Sequence, residues 1–318
     1  MTRSYLFFLL FCASAVVMGQ QDPQFSQNMF NQLASNPGFA GSSGMVNVSA
    51  INRQQWMGFE GAPKTTVFGA DAAVNLFGWD SGIGLVVMND EIGFYNDLHL
   101  SVNYSYRVEL AEGTIGFGVS LGLVNQVFDG TKIYLPSNGN GNSYHNIADD
   151  ALLPQAKVNG TAIDMGMGVF LERKKYYVGL SVLHLNKPKP NFKDEFQSYL
   201  KQTIFLTGGY RYKLQDKPIV LLPSIFIKSD LASMQVDVNM NVMVKKKYWG
   251  GFTYRYQDAI VVLAGMELNN GLRFGYSYDI TTSEMATVSS GSHEFMVGYS
   301  FDMSFEKRNK RYRSVRYL

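Results

Sequence analysis

The sequence predicts an all-β fold: a transmembrane antiparallel β-barrel of about 14 strands, preceded by a short segment outside the wall. Three observations carry that expectation. Segments of about ten residues alternate apolar and polar side chains with period two. The connections between them are short at every even position, and the long ones all fall at odd positions. The last such segment is aromatic along its apolar face.

The chain opens with an export signal. Arg3 gives a positive start, and Tyr5 to Val17 is apolar except for Ser14. Val17 and Gly19 are small enough for the −3 and −1 positions of a signal-peptidase site, which predicts a signal peptide over 1–19 and cleavage before Gln20. The apolar stretch is shorter than the ~20 residues of a helical membrane span. Cys12, the only cysteine, lies inside it, and Leu10 and Phe11 lack the small size a lipoprotein cleavage site needs. The mature chain is therefore expected to have no thiol, which excludes disulfides, thiolate metal sites and cysteine nucleophiles. Charge is nearly balanced, 28 Lys and Arg against 26 Asp and Glu, so there is no electrostatic case for nucleic acid. Glycine, tyrosine and phenylalanine are abundant, and no later stretch has the length and apolarity of a membrane helix.

Residues 20–43 form the second unit. Gln21 to Ser43 lacks alternation and contains Asn36-Pro37-Gly38, a turn signal. It reads as a periplasmic segment or a plug folded into the lumen. Its aromatics, Phe25, Phe30 and Phe39, need burial, which the lumen or a partner must supply.

The wall occupies 44–305. In Leu98 to Val108, Leu98, Leu100, Val102, Tyr104, Tyr106 and Val108 share one face, and His99, Ser101, Asn103, Ser105 and Arg107 the other. Leu272 to Ile280 places Arg273, Gly275, Ser277 and Asp279 opposite its apolar residues, and Val236 to Val244 does the same with Asp237, Asn239 and Asn241. Such segments are longer than the five or six residues of an average soluble strand, and their polar faces are too polar for a sandwich core. They span about 44–54, 64–77, 82–91, 97–108, 114–128, 162–173, 176–185, 203–213, 217–228, 234–245, 248–257, 259–268, 271–280 and 293–305. Pro223 interrupts the ninth, where a bulge is expected. The short connections include Gly78-Trp79-Asp80-Ser81, Ala111-Glu112-Gly113, Lys174-Lys175, Lys246-Lys247 and Asn269-Asn270. The long ones are 129–161, 186–202 and 281–292. This parity sets the long loops outside the cell and both chain termini in the periplasm. The closing strand runs Phe295, Val297, Tyr299, Phe301, Met303 and Phe305, and a basic periplasmic tail follows over 306–318.

Chemical motifs are weak. Gly118-Val119-Ser120-Leu121-Gly122 matches a nucleophile elbow, which needs a sharp strand-to-helix turn. Here it lies within a strand with a smooth inner face of Gly116, Gly118, Ser120 and Gly122, so something is expected to pack closely against that wall. His99, His145, His184 and His293 fall near the loop-rich rim without metal-pair spacing. Asp149 and Asp150 read as a solvated loop, and 194–200 as one or two helical turns at the barrel mouth. A surface hydrolase would need His99 or His293 beside a carboxylate and a nucleophile. A passive porin would have an open lumen lined by Asp237, Arg273 and Asp279.

Gln21-Asp22-Pro23-Gln24-Phe25-Ser26-Gln27-Asn28-Met29-Phe30-Asn31, then Asn36-Pro37-Gly38-Phe39-Ala40-Gly41-Ser42, carry a specific resemblance. Arg53-Gln54-Gln55-Trp56, Gly58 and Gly61-Ala62-Pro63-Lys64-Thr65 extend it, as do Tyr254-Arg255-Tyr256, Gly275 to Asp279 and Ser292-His293-Glu294. Together they resemble the PorP/SprF family of Bacteroidetes outer-membrane proteins. Asn28, where that family has an aromatic, and Gly38-Phe39, where it more often has Ala-Tyr, depart from the pattern. The resemblance implies a non-enzymatic barrel without cofactor or metal, serving type IX secretion and, in gliding species, motility. Implied partners are a secreted protein's C-terminal sorting domain at the surface, periplasmic ring or lipoprotein components, and the lipid bilayer. The residues expected to bind a partner or plug the barrel are Phe25, Met29, Phe30, Asn36, Pro37, Phe39, Arg53, Trp56, Pro63 and Lys64.

Overall fold

The computed structural model describes residues 22–132, 156–192 and 198–302. The expected signal peptide, most of the long connection 129–161 with His145, Asp149 and Asp150, and the basic tail lie outside these residues, as does most of the helical turn expected over 194–200.

The wall strands are β1 (Val46–Gln54), β2 (Lys64–Leu76), β3 (Trp79–Ile92), β4 (Tyr95–Leu110), β5 (Gly113–Asp129), β6 (Lys157–Arg173) and β7 (Tyr176–Leu183). They continue as β8 (Thr203–Tyr210), β9 (Tyr212–Lys213), β10 (Ile219–Ser229), β11 (Met234–Val244), β12 (Tyr248–Arg255), β13 (Ala259–Glu267), β14 (Leu272–Thr281) and β15 (Ser292–Phe301). Each pairs antiparallel with its neighbours, and β15 pairs with β1 from Val46↔Phe301 to Gln54↔His293, which closes the barrel. Because β8 and β9 are two pieces of one strand facing β10, the wall has 14 strands. Closure leaves no unpaired sheet edge, which a bilayer would penalise.

The expected bulge at Pro223 does not form. The pairs Ser224↔Gly209 and Leu221↔Tyr212 keep one register, so no extra residue is inserted. Proline has no N–H to donate, and the ladder simply lapses around Arg211. On its other side the Arg211 N–H continues the β7–β8 register, donating to the carbonyl of Lys175 at 2.7 Å. The β2–β3 turn is tighter than expected: Trp79 already belongs to β3, and Phe77 and Gly78 both have positive φ, 53° and 85°. That backbone matches the right-handed twist of the flanking strands.

Alternation sorts the faces. In β14, Arg273, Ser277 and Asp279 are buried, whereas Phe274, Tyr276 and Ile280 are exposed. Outward residues such as Val102, Val119 and Leu121 form an apolar belt suited to lipid. The apolar core lies inside the wall. Met29, Leu33 and Phe39 meet inward side chains including Ile51, Val67, Phe170, Trp249 and Met296. No described helix is long and apolar enough to cross a membrane.

Candidate functional site

Residues 22–43 lie inside the barrel, and two kinds of contact hold them. The first is a polar cluster near the mouth that carries the odd-numbered connections. Alternation along β12 sends Arg255 inward between outward Tyr254 and Tyr256. The same rule turns Asp237 of β11, Asp279 of β14, Glu294 of β15 and Arg53 of β1 to the inside, all of them buried. Strand register places Asp237 opposite Arg255 and Arg53 opposite Glu294, favourable cross-strand pairs. Arg255 bonds Asp237 at 3.1 Å and Asp279 at 2.9 Å. Arg53 bonds Asp279 at 2.8 Å and Glu294 at 3.2 Å.

Ser26 sits at the centre of this cluster. Its N–H donates to Glu294 at 2.7 Å and its hydroxyl to Asp279 at 2.7 Å. The same oxygen accepts from Arg53 at 2.8 Å and Arg255 at 3.2 Å. The Gln27 N–H donates to the other Glu294 oxygen at 2.8 Å. Buried charges are tolerable only when paired and hydrogen-bonded, and here the segment supplies part of that bonding.

Close by, His184, just past β7, lies 3.0 Å from Asp22 through Nε2 and 2.9 Å from Asp164 through Nδ1. Lys228 donates to the Asp22 carbonyl at 2.5 Å. Burial pushes the His184 imidazolium down, but Asp22 and Asp164 outweigh it and hold its pKa up at about 10. His99 packs its ring 6.0 Å from that of His184.

The second contact is a matter of shape. After the one-turn helix Gln32–Ser35, Asn36 caps the 3₁₀ turn Pro37–Phe39, accepting from the Gly38 N–H at 2.9 Å. The Asn36 amide donates to the Val169 carbonyl at 3.0 Å. The turn then lies directly on the smooth wall. A Cβ at Gly118 would collide with Pro37 and Gly38, and one at Gly168 with the Asn36 side chain. This is the close packing expected from the glycine face of β5. Ser120 therefore sits in a wall strand, not on an elbow. Phe39 meets Phe170 edge-on at 5.2 Å, and the Gly41 N–H donates to Asp71 at 2.9 Å. Arg107 closes the far end, donating to the carbonyls of Ala40 at 3.3 Å and Ser42 at 3.2 Å.

The segment thus runs from one mouth to the other, antiparallel to β1. Asp22 lies beside His184 and Lys228 at the loop-rich mouth, not at the opposite end where the sequence reading set the N-terminus. The reason is the shape fit: Pro37 to Ser42 must reach the foot of β3 to β6 before β1 can start there.

Of the expected site residues, Phe25, Met29, Phe30, Asn36, Pro37, Phe39 and Arg53 come together along this path, with Phe30 5.1 Å from Trp249. Trp56, Pro63 and Lys64 sit apart at the rim. The Trp56 N–H donates to the Ser292 hydroxyl at 3.0 Å, the Pro63 carbonyl accepts from Gln55 at 2.9 Å, and Lys64 is exposed. Sequence reasoning gave no role to Ser26, Asp22, Lys228 or Glu294. The usable signal was a charge on the inward face of neighbouring strands. A cavity of about 80 Å³ remains beside the segment, lined by His99, Asn103 and Gln235 among others. It is well below the ~300 Å³ at which ligand pockets begin.

A family model described as type IX secretion system membrane protein PorP/SprF matches residues 17–299. The chain belongs to that family. As a PorP/SprF member with a closed barrel, it is an outer-membrane component of the type IX secretion system. No curated protein matches it. Among solved structures it is similar to Omp33 of Acinetobacter baumannii, with 7% identity, 82% of this chain and 100% of that one covered, and a TM-score of 0.45. It is also similar to the toluene transporter TodX of Pseudomonas putida, with 11% identity, 84% and 92% covered, and a TM-score of 0.47. The monoaromatic hydrocarbon channel CymD gives 10%, 90%, 94% and 0.46. These likenesses are too distant to bring any function to this chain.

Proposed function

We propose that this component is a closed, non-enzymatic docking barrel. Residues 22–43 plug the lumen. The loop-rich end holds a secreted protein's C-terminal sorting domain at the cell surface, and the short-turn end meets periplasmic ring or lipoprotein components. The observation that carries this reading is the contact of the segment with the inner wall from Asp22 to Ser42. A lumen occupied along its length favours work at the two ends over passage of solutes through the middle.

Co-purification of the full chain from detergent-solubilised membranes tests it. A sorting domain and a ring component are expected to come down with it, and absence of both sinks the docking reading. Planar-bilayer recording tests the plug separately. A silent trace is expected from the full chain and steady conductance after deletion of residues 22–43. An open, porin-like trace from the full chain would overturn closure.

A further inference from the structure

The short-turn end carries a one-sided basic arc. Three successive hairpin turns on that end, β6–β7, β9–β10 and β11–β12, present Lys174-Lys175, Lys217 and Lys245-Lys246-Lys247. Asp216 is the one carboxylate within those turns. The turn before the arc has Glu112 instead, and beyond the arc β13 ends on Glu267. Among the described residues, none of these six lysines is ion-paired.

Two observations say which way the arc faces. Tyr176 and Tyr248 point out of the barrel, on the lipid side. The Lys247 ammonium lies 5.7 Å from the Tyr248 ring centre, and the Arg173 guanidinium 6.0 Å from that of Tyr176. These cations therefore stand on the outer flank, beside an outward tyrosine belt, not over the lumen. Outward tyrosines mark the level of the membrane interface, so the charges beside them sit at headgroup depth.

The backbone adds an independent sign. Lys245 and Lys246 have φ of 53° and 55°, a left-handed pair that Asn-Gly would adopt with less strain. The turn keeps lysines where its own geometry disfavours them.

We propose that this arc is a binding site for anionic phospholipid headgroups at the short-turn side of the membrane. The phosphates would bridge the lysines of adjacent turns while the acyl chains lie along the apolar flank of β7 to β11. This goes beyond docking at the two mouths and does not depend on it.

The test reconstitutes the full chain in phosphatidylcholine nanodiscs doped with fluorescent phosphatidylglycerol. The wild type is expected to enrich the anionic lipid, and high salt to reduce that enrichment. Lys245→Gln with Lys246→Gln and Lys247→Gln should lower it on the order of tenfold. Lys245→Asn with Lys246→Gly should also lower it, while Tm stays equal or rises, which separates lipid binding from turn stability. Lys64→Gln, at the other end, should change nothing. Equal enrichment in all variants overturns the proposal. So does unchanged lipid enrichment alongside loss of a co-purifying acidic protein, which would make the arc a protein site.

Discussion

The two halves of residues 22–43 are held in opposite ways. Ser26 and Gln27 are gripped by charge: two arginines and two carboxylates, all buried, converge on one hydroxyl and two N–H groups. Asn36 to Gly38 is held by the absence of side chains, since Gly116, Gly118 and Gly168 let backbone lie against backbone. An ionic grip is directional and breaks when one partner goes. A glycine seat is steric and breaks when one atom is added. The comparison teaches that one short segment can be fixed in register at one end and in depth at the other.

The largest effect should come from the ionic half. Arg255→Ala leaves Asp237 buried without its arginine and Asp279 with Arg53 alone, a loss of about 3–5 kcal/mol. Hydrogen exchange should speed up over 22–28 while 36–42 stays protected. Equal loss of protection along the whole segment would mean that the two grips act as one.

Gly118→Val should do the reverse, at about 1–3 kcal/mol, because its branched side chain meets the Pro37-Gly38 backbone. Exchange should rise over 36–42 first, and unchanged protection there would remove the seat. Asn36→Ala is milder, about 1 kcal/mol, through loss of the cap to Gly38.

The pH dependence sharpens the ionic side alone. His184 has its pKa raised in the fold to about 10 by Asp22 and Asp164 against the cost of burial, so its contribution is complete below its ordinary value of 6.5. It is lost as pH rises through about 10. Asp22 is shifted the other way: burial raises its pKa, but His184 and Lys228 outweigh that and hold it below the ordinary 3.8. Its contribution is present above that value and lost as pH falls. A spin label at Gln24→Cys should gain mobility between neutral pH and pH above 10, and His184→Gln should abolish that transition. The smallest effect is expected at Lys64→Ala, within about 0.5 kcal/mol, since the residue is exposed and apart from both grips. A larger loss of stability in thermal melts would extend the site to the rim.

The sequence by itself determined the wall. Period-two alternation is local, so it assigned inward and outward faces without knowledge of neighbours: Asp237, Arg273 and Asp279 inside, Val102 and Leu121 outside. Loop parity and an even count followed from the same signal, and the smooth face of β5 announced a close neighbour. What alternation does not encode is register between strands or the path of a segment without periodicity. Only the tertiary structure decided that Asp237 meets Arg255, that Ser26 joins them, and that Asp22 ends at the loop-rich mouth beside His184. The last two outcomes depend on contacts between residues more than 100 positions apart, 229 for Ser26 and Arg255 and 162 for Asp22 and His184, and all three are set by closing the barrel around the segment and by the requirement that each buried charge find its partners.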